Sequence, residues 1–215
     1  MLHDVLLINE NHKKAARQIV EHINQLEGGK LVIAIGGESG SGKSELGHEV
    51  ARLLKEQKTS AKVMHVDNYY KTSPQERNPW RKAHGVECIG YTEYDWAAIE
   101  KNLKEFKEDA PVAIMPCIDL LTDQEDFLTT SFHGLRYLVV EGLYAVKVEA
   151  DLRVLIDLTY HDTKKAQLVR GKEKMDEWRL RVLEREHEVI QSLRPMVDLI
   201  VTPEFDVKKV KEKPS

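Results

Sequence analysis

The sequence predicts an α/β fold in which a parallel sheet is buried between helices, and two observations carry this prediction. The first is that short apolar runs, separated by stretches with helical spacing, recur at 31–35, 62–66, 138–140, 152–158 and 197–201. Such runs are typical of parallel strands covered by helices on both faces. The second is a glycine-rich loop directly after the first run. Because 215 residues suffice for one core of this class, we expect a single domain over residues 1–215.

The glycine-rich loop has the pattern of a phosphate-binding loop. The stretch Leu31–Ser44 reads LVIAIGGESGSGKS, and its second part fits G-x-x-x-x-G-K-[ST], the Walker A pattern. A helix is predicted directly behind it, because Leu46, Val50 and Leu54 share one helical face. The order strand, loop, helix distinguishes a real site from a chance match. The loop consists of Gly37, Glu38, Ser39, Gly40, Ser41, Gly42, Lys43 and Ser44.

Each residue type in this loop suits a nucleoside triphosphate. Glycines permit positive φ and let backbone amides approach a phosphate without a Cβ clash. The start of the following helix adds a partial positive charge. Lys43 can bring its ammonium group to the β- and γ-phosphate oxygens, and the Ser44 hydroxyl can bind Mg²⁺. The sequence therefore predicts that ATP and Mg²⁺ are bound here.

Two carboxylates follow predicted strands and are candidate site residues. Asp67 ends the run 62–66, and Glu141 ends the run 138–140. Ligands of open α/β sheets bind beyond the carboxyl ends of the strands. There, Asp67 could take a proton from an attacking hydroxyl or reach the metal through water, and Glu141 could bind Mg²⁺. The alternative for each is a carboxylate that only caps a turn.

The segments between these motifs are less regular. Residues 71–94 are rich in Pro, Gly, Asn and Ser and contain Tyr91, so we expect a long irregular segment that forms a pocket wall or lid. A helix follows Asp95, which could simply start it. Residues 111–118 predict another strand, and 125–132 an edge strand or hairpin arm.

The C-terminal third predicts a charged helical region. Residues 162–194 carry many arginines and lysines, and the ordinary interpretation is a solvated helix face with i,i+4 ion pairs. The alternative is a lid, expected at about 170–185, whose arginines close on the transferred phosphate. We also predict an N-terminal helix at about 12–29, a core over 31–201 and a loose polar tail at 204–215.

Composition limits the partners. A net charge of −4 and a pI near 6.2 argue against nucleic acid or an anionic membrane as the main partner. Cys88 and Cys117 are far apart in sequence, as expected for reduced thiols in a cytoplasmic protein. No apolar run is long enough for a membrane span. A homo-oligomer is compatible with these features.

Taken in order, the motifs resemble the uridine kinase and phosphoribulokinase family. They are GESGSGKS, VDNYY, GYTEYDW, MPCID, LVVEG and the basic segment, and they span roughly residues 31–201. The resemblance implies a three-layer nucleoside-kinase-like fold with a helical lid. It also implies Mg-ATP as phosphate donor and a small alcohol, often a nucleoside or sugar, as acceptor.

By this resemblance, specific residues acquire roles. Asp67 matches the catalytic base of the D-x-[FY]-Y motif, and Ser44 with Glu141 match the metal-binding residues. The positions expected for lid residues are occupied by Arg170, Arg179 and Arg181. The predicted acceptor pocket is formed by Asp67, Tyr69, Tyr70, Tyr91 and Asp119.

The sequence also departs from the uridine kinase pattern. Ile89-Gly90-Tyr91 stands where uridine kinases have D-H-P. Pro116 and Asp119 fit P-x-Y-D, but Ile118 replaces its tyrosine. We therefore expect an ATP-dependent kinase, with a nucleoside as the main candidate acceptor. A sugar, sugar phosphate or pantothenate-like acid remains an alternative, and so does a nucleotide-binding regulator without transferase activity.

Overall fold

The computed structural model describes residues 5–163 and 176–210. Its helices are α1 (Glu10–Ile23), α2 (Lys43–Glu56), α3 (Pro74–His84), α4 (Trp96–Lys107) and α5 (Glu177–Leu193). Its strands are β1 (Leu31–Gly37), β2 (Ala61–His65), β3 (Ala113–Asp119), β4 (Gln124–Thr130), β5 (Tyr137–Glu141), β6 (Leu152–Ile156), β7 (Leu199–Val201) and β8 (Val207–Lys209). Among the described residues, no helix is long and apolar enough to cross a membrane.

The main sheet has six strands in the order β2-β5-β1-β6-β7-β8, and all are parallel except β8. Glu141 at the end of β5 is paired with Ile35 on one side and His65 on the other. The carboxyl ends of β1, β2 and β5 therefore meet at one edge of the sheet, where α/β proteins bind ligands.

Two apolar layers cover the sheet, as predicted for an α/β fold with helices on both faces. Successive residues of β1 point to opposite faces. Ile33 belongs to the core formed with α1 and α2, whereas Ala34 belongs to the core formed with α4 and α5. The strand positions in both layers are almost fully buried, which explains why the sequence shows continuous apolar runs rather than alternation.

Residues 71–94 differ from the prediction of an irregular segment, because α3 lies within them. Ser73 caps its start by accepting a hydrogen bond from the Glu76 amide, and Pro74 occupies the first turn, where proline is tolerated. The helix was missed because it has no apolar stripe: its one buried residue is Arg81. Pro79 inside the helix also argued against it.

Two further expectations about strands are resolved. The strand expected at 111–118 forms as β3 but lies outside the main sheet, where it pairs with β4 in an antiparallel hairpin. This confirms the hairpin-arm alternative for 125–132.

The prediction of a loose tail at 204–215 is wrong at β8. This strand pairs with β7, with Val207 opposite Val201. The lid expected at 170–185 lies partly outside the described residues, and from Glu177 onward it is the start of α5.

Candidate active site

The glycine loop connects β1 to α2 and leaves the start of α2 open. Gly40 and Gly42 have φ of 79° and 90°, in the left-handed region that favours glycine. A Cβ on Gly42 would lie 2.5 Å from Nε2 of His12 on α1, so space as well as conformation requires glycine. Gly42 is the N-cap of α2, and no side chain caps this end. The first amides of a long helix thus face the region where a phosphate would lie.

Lys43 folds back over this loop. Its Nζ donates a hydrogen bond of 2.8 Å to the Glu38 carbonyl oxygen, and the side chain is largely buried. An ammonium held across the loop in this way lies over the bound phosphates of a nucleotide. Contact between Lys43 and a phosphate remains a prediction.

Glu141 lies next to the loop and is held by two hydrogen bonds. The Ser44 hydroxyl donates to its Oε2 over 3.1 Å, and His65 Nδ1 lies 2.5 Å from its Oε1. Burial raises the pKa of Glu141, but the His65 hydrogen bond, together with the charges of His65 and Lys43, outweighs burial, and the net pKa is below the ordinary value. The carboxylate is therefore ionised at neutral pH.

The Ser44 and Glu141 oxygens fit a magnesium ion. A hydroxyl and an ionised carboxylate in direct contact are hard oxygen ligands, which Mg²⁺ prefers. No group of three or more His, Cys, Asp or Glu side chains within residues 5–163 and 176–210 forms a complete metal cage. At phosphate sites Mg²⁺ usually takes its remaining ligands from phosphates and water.

Asp67 lies at the end of β2, close to Glu141. Its Oδ1 is buried and has no hydrogen-bond partner. A Cβ on Gly142 would lie 3.6 Å from that oxygen and 2.7 Å from the Val66 Cβ, so the turn after β5 must be glycine for the two strand ends to approach. Burial, followed by the negative charge of Glu141, raises the pKa of Asp67, while Lys43, Arg77 and His65 oppose the rise.

The environment of Asp67 suits a general base. Its carboxylate has a raised pKa and an oxygen available to accept a proton, two properties that general-base catalysis requires. The charge of Lys43 acts on both Asp67 and Glu141. The structure therefore brings together Lys43, Ser44, Asp67 and Glu141, which are separated in sequence.

The three predicted lid arginines have different surroundings. Arg179 on α5 reaches the glycine loop, where its Nη2 donates to Ser39 Oγ over 3.3 Å. Arg181 is exposed and lies over the Trp178 ring at 5.8 Å. Arg170 lies outside the described residues. Of the three, Arg179 is the one that the described structure places at the loop.

The predicted acceptor residues also differ in their contacts. The Tyr69 hydroxyl donates to Asn102 Oδ1 over 2.6 Å, and Asp119 Oδ1 accepts from the Leu121 amide at the start of the β3–β4 turn. The Tyr91 hydroxyl lies 3.1 Å from Ser192 Oγ. Each of these three side chains makes a contact that supports the fold, and their role in acceptor binding remains a prediction. Tyr70, by contrast, lies in the same region as Asp67.

Sequence reasoning missed three residues of this region. His65 orients Glu141, Arg77 lies over the Tyr70 ring, and His187 on α5 contacts the loop residue Glu38 with 2.5 Å between Nδ1 and Oε1. For His65 a signal existed, since it lies on the same strand end as Asp67. The other two lie on α3, which was not predicted, and on α5, whose packing against the glycine loop the sequence pattern does not give.

Comparisons with known proteins agree with this arrangement. A family model described as Phosphoribulokinase / Uridine kinase family matches residues 32–170. A uridine kinase of Ureaplasma parvum serovar 3 is 26% identical over 135 residues, which are 59% of this chain and 62% of that protein. The chain thus spans less than two thirds of the length of the curated relatives that it matches.

Solved structures share the fold at lower identity. A possible uridine kinase from Bacillus stearothermophilus is 18% identical, with a TM-score of 0.62 over 87% of this chain and 97% of that one. Phosphoribulokinase from Rhodobacter spheroides is 12% identical, with a TM-score of 0.61 over 81% of this chain and 70% of that one. These likenesses establish the P-loop kinase fold of the chain.

Proposed function

Because the chain belongs to the phosphoribulokinase / uridine kinase family, we propose that it transfers the γ-phosphate of ATP to a hydroxyl group of a small molecule. One observation carries this proposal: Lys43, the Ser44–Glu141 pair and the unpartnered oxygen of Asp67 meet at the start of α2. A phosphate site alone needs the first two groups. A buried base beside them is what an alcohol acceptor requires.

The chain's residues divide the work of an in-line transfer. The loop amides and Lys43 bind the β- and γ-phosphates, and Arg179 can approach the same phosphates from the Ser39 side of the loop. Ser44 and Glu141 would hold Mg²⁺, which supplies neutralisation of phosphate charge. Asp67 orients the acceptor hydroxyl and takes its proton as the new phosphate ester bond forms and the bond from the γ-phosphorus to the ADP oxygen breaks, which releases ADP.

The class of acceptor is a separate question. The family resemblance and the curated uridine kinases at 26% identity favour a nucleoside. The altered residues around Ile118 and Asp119 favour another alcohol, such as a sugar, sugar phosphate or hydroxy acid. A nucleotide-binding regulator is disfavoured by Asp67, since a protein that only binds nucleotide gains nothing from a buried, unpartnered carboxylate beside the phosphates. A cytoplasmic location and a homo-oligomeric state remain predictions.

The proposal is tested by ADP release with a panel of nucleosides, sugars, sugar phosphates and hydroxy acids. We expect acceptor-dependent ADP formation by the wild type, and its loss in Lys43→Ala and Asp67→Asn. Lys55→Ala is the control, because Lys55 is an exposed lysine on the same helix as Lys43. Undiminished transfer by Lys43→Ala would refute the site. Nucleotide binding without acceptor-dependent turnover would favour a regulator.

A further inference from the structure

Arg77 on α3 lies beside the proposed acceptor site, with its guanidinium group over an aromatic ring. Its Cζ is 3.3 Å from the centre of the Tyr70 ring. A cation held over a ring face is positioned by attraction to that face, and the ring satisfies none of the N–H donors of the guanidinium group.

The donors of Arg77 have no acceptors. Nε and Nη2 are buried without a hydrogen-bond partner. Within residues 5–163 and 176–210 the Arg77 side chain makes no hydrogen bond or ion pair, and its one close contact there is the Tyr70 ring; the Arg77 backbone amide makes the ordinary bond to the Ser73 carbonyl at the start of α3. A buried charged donor without an acceptor costs free energy, so its retention needs a compensating interaction.

The neighbouring arginine shows what a purely structural arginine looks like in this helix. Arg81 lies one turn after Arg77, and each of its three guanidinium nitrogens has a carboxylate partner. Nε and Nη2 donate to the two oxygens of Glu93 over 2.6 and 2.9 Å, and Nη1 is 3.2 Å from Glu186. This paired cluster fastens α3 to α5. Arg77 plays no part in the cluster, so its role differs.

Tyr70 links Arg77 to Asp67, because it contacts Arg77 and is separated from Asp67 by one tight turn. Asp67 and Tyr70 are three residues apart across the tight turn Val66–Tyr69, and side chains at that spacing lie on the same side of a 3₁₀ turn. The charge of Arg77 acts on the pKa of Asp67, and both charges act on the pKa of Tyr70, which burial raises. The proposed base and the unpaired cation therefore lie on one side of this turn.

We infer that Arg77 binds an anionic group of the acceptor, a phosphate or a carboxylate, while Asp67 faces the hydroxyl that is phosphorylated. The flat, forked guanidinium matches both anions through paired hydrogen bonds. This inference rests on the proposed function and narrows its acceptor to a hydroxylated sugar phosphate or hydroxy acid rather than an uncharged nucleoside. The inference assigns Arg77 a role in substrate selection, not in the transfer step.

The first experiment measures kinetics with acceptors that differ by one anionic group, namely ribose 5-phosphate against ribose, and glycerate against glycerol. We expect kcat/KM to be roughly 10- to 100-fold higher for an anionic member than for its neutral partner. Arg77→Gln should abolish that preference, Arg77→Lys should restore part of it, and the ATP KM should change little. Lys82→Gln is the matched control, because Lys82 is an exposed cation on the same helix.

The second experiment needs no turnover. With Mg²⁺ and a non-hydrolysable ATP analogue occupying the nucleotide site, isothermal titration calorimetry measures binding of inorganic phosphate. We expect binding to the wild type and to Lys82→Gln, and its loss in Arg77→Gln. Urea unfolding of all three proteins verifies that they are equally folded. We expect equal stability, because the Arg77 side chain makes no ion pair whose loss would loosen α3.

The outcomes separate this inference from the proposed function. Absence of phosphate binding to the wild type, or equal binding to Arg77→Gln, would overturn the role of Arg77 even if transfer to a neutral alcohol is observed. A rise in the ATP KM of Arg77→Gln, with no change in acceptor preference, would also overturn it and assign Arg77 to the γ-phosphate. If phosphate binds through Arg77 but no acceptor stimulates ADP release, the anion site at Arg77 stands, whereas the kinase proposal fails and the assignment of that anion to an acceptor fails with it.

Discussion

The substitution Asp67→Asn should stabilise the fold while it removes activity. When Asp67 is ionised, it keeps a buried oxygen without a partner and lies near the charged Glu141. An unsatisfied buried polar group costs about 1–3 kcal/mol and more when it is charged. Asn keeps an oxygen at this position but removes the charge, so the substitution relieves only the charged part of the cost. Because Lys43 and Arg77 attract the carboxylate and offset part of this cost, we expect the low end, a gain of about 1 kcal/mol. For a chain of this length that raises Tm by roughly 2–4 °C.

The gain should depend on pH, with a sign that follows from the raised pKa. An acid whose folded-state pKa is raised binds its proton more tightly in the folded state than in the unfolded state. The destabilisation by wild-type Asp67 is therefore full above its folded-state pKa and disappears as pH falls toward the ordinary value of 3.8. The Asn variant lacks this titration, so the difference in stability should shrink as the pH is lowered.

The assay is urea unfolding of the wild type and Asp67→Asn between pH 8 and pH 5. Asp126→Asn is the control. Asp126 is exposed on β4, so this substitution removes the same charge from the surface of the protein. A destabilised Asp67→Asn, or a gain that is the same at all pH values, would refute the argument that Asp67 is held at a cost for the sake of chemistry.

Three further substitutions test other parts of the site. His65→Ala should destabilise the fold by about 1.5–3 kcal/mol, because Glu141 loses a charged hydrogen bond, and should raise the Mg²⁺ concentration required for half-maximal activity. Gly42→Ala should weaken ATP binding at least 10-fold as measured by equilibrium dialysis, since the new Cβ meets His12; unchanged affinity would contradict the loop geometry. Arg179→Gln should lower kcat by roughly 10–1,000-fold with a smaller change in KM for ATP, and an unaltered kcat would remove Arg179 from the transfer step.

The nucleotide half of the site follows from the sequence for a simple physical reason. Parallel strands place their carboxyl ends at one edge, so a residue that ends an apolar run next to a glycine loop lies near the phosphates. Asp67 and Glu141 were predicted by this rule, and the structure places them together. Lys43 and Ser44 follow from the loop pattern alone.

The acceptor half depends on contacts that no local pattern encodes. Arg77 lies on α3, a helix with no apolar stripe and an internal Pro79, so neither its existence nor its orientation was predicted. His187 meets Glu38 across 149 residues of sequence, and such a contact requires the tertiary arrangement of α5 on the loop.

The pairing of β3 and of β8 was similarly underdetermined by the sequence. β3 has the apolar character of a sheet strand, yet it pairs with β4 in a hairpin. The short strand β8 carries two exposed lysines and pairs along one edge of β7, so its sequence is that of a polar tail. Apolar periodicity reports which residues are buried. It does not identify the strand that lies alongside, so it gives the partner of neither β3 nor β8.

The most direct test of the central claim follows the γ-phosphate itself. The protein is incubated with Mg²⁺, γ-labelled ATP and the acceptor panel, and the products are separated and identified. We expect label to appear as a phosphate ester on an acceptor hydroxyl, with one ADP formed per ester. Label that remains in ATP, or that appears as inorganic phosphate at the same rate with and without acceptors, would contradict it.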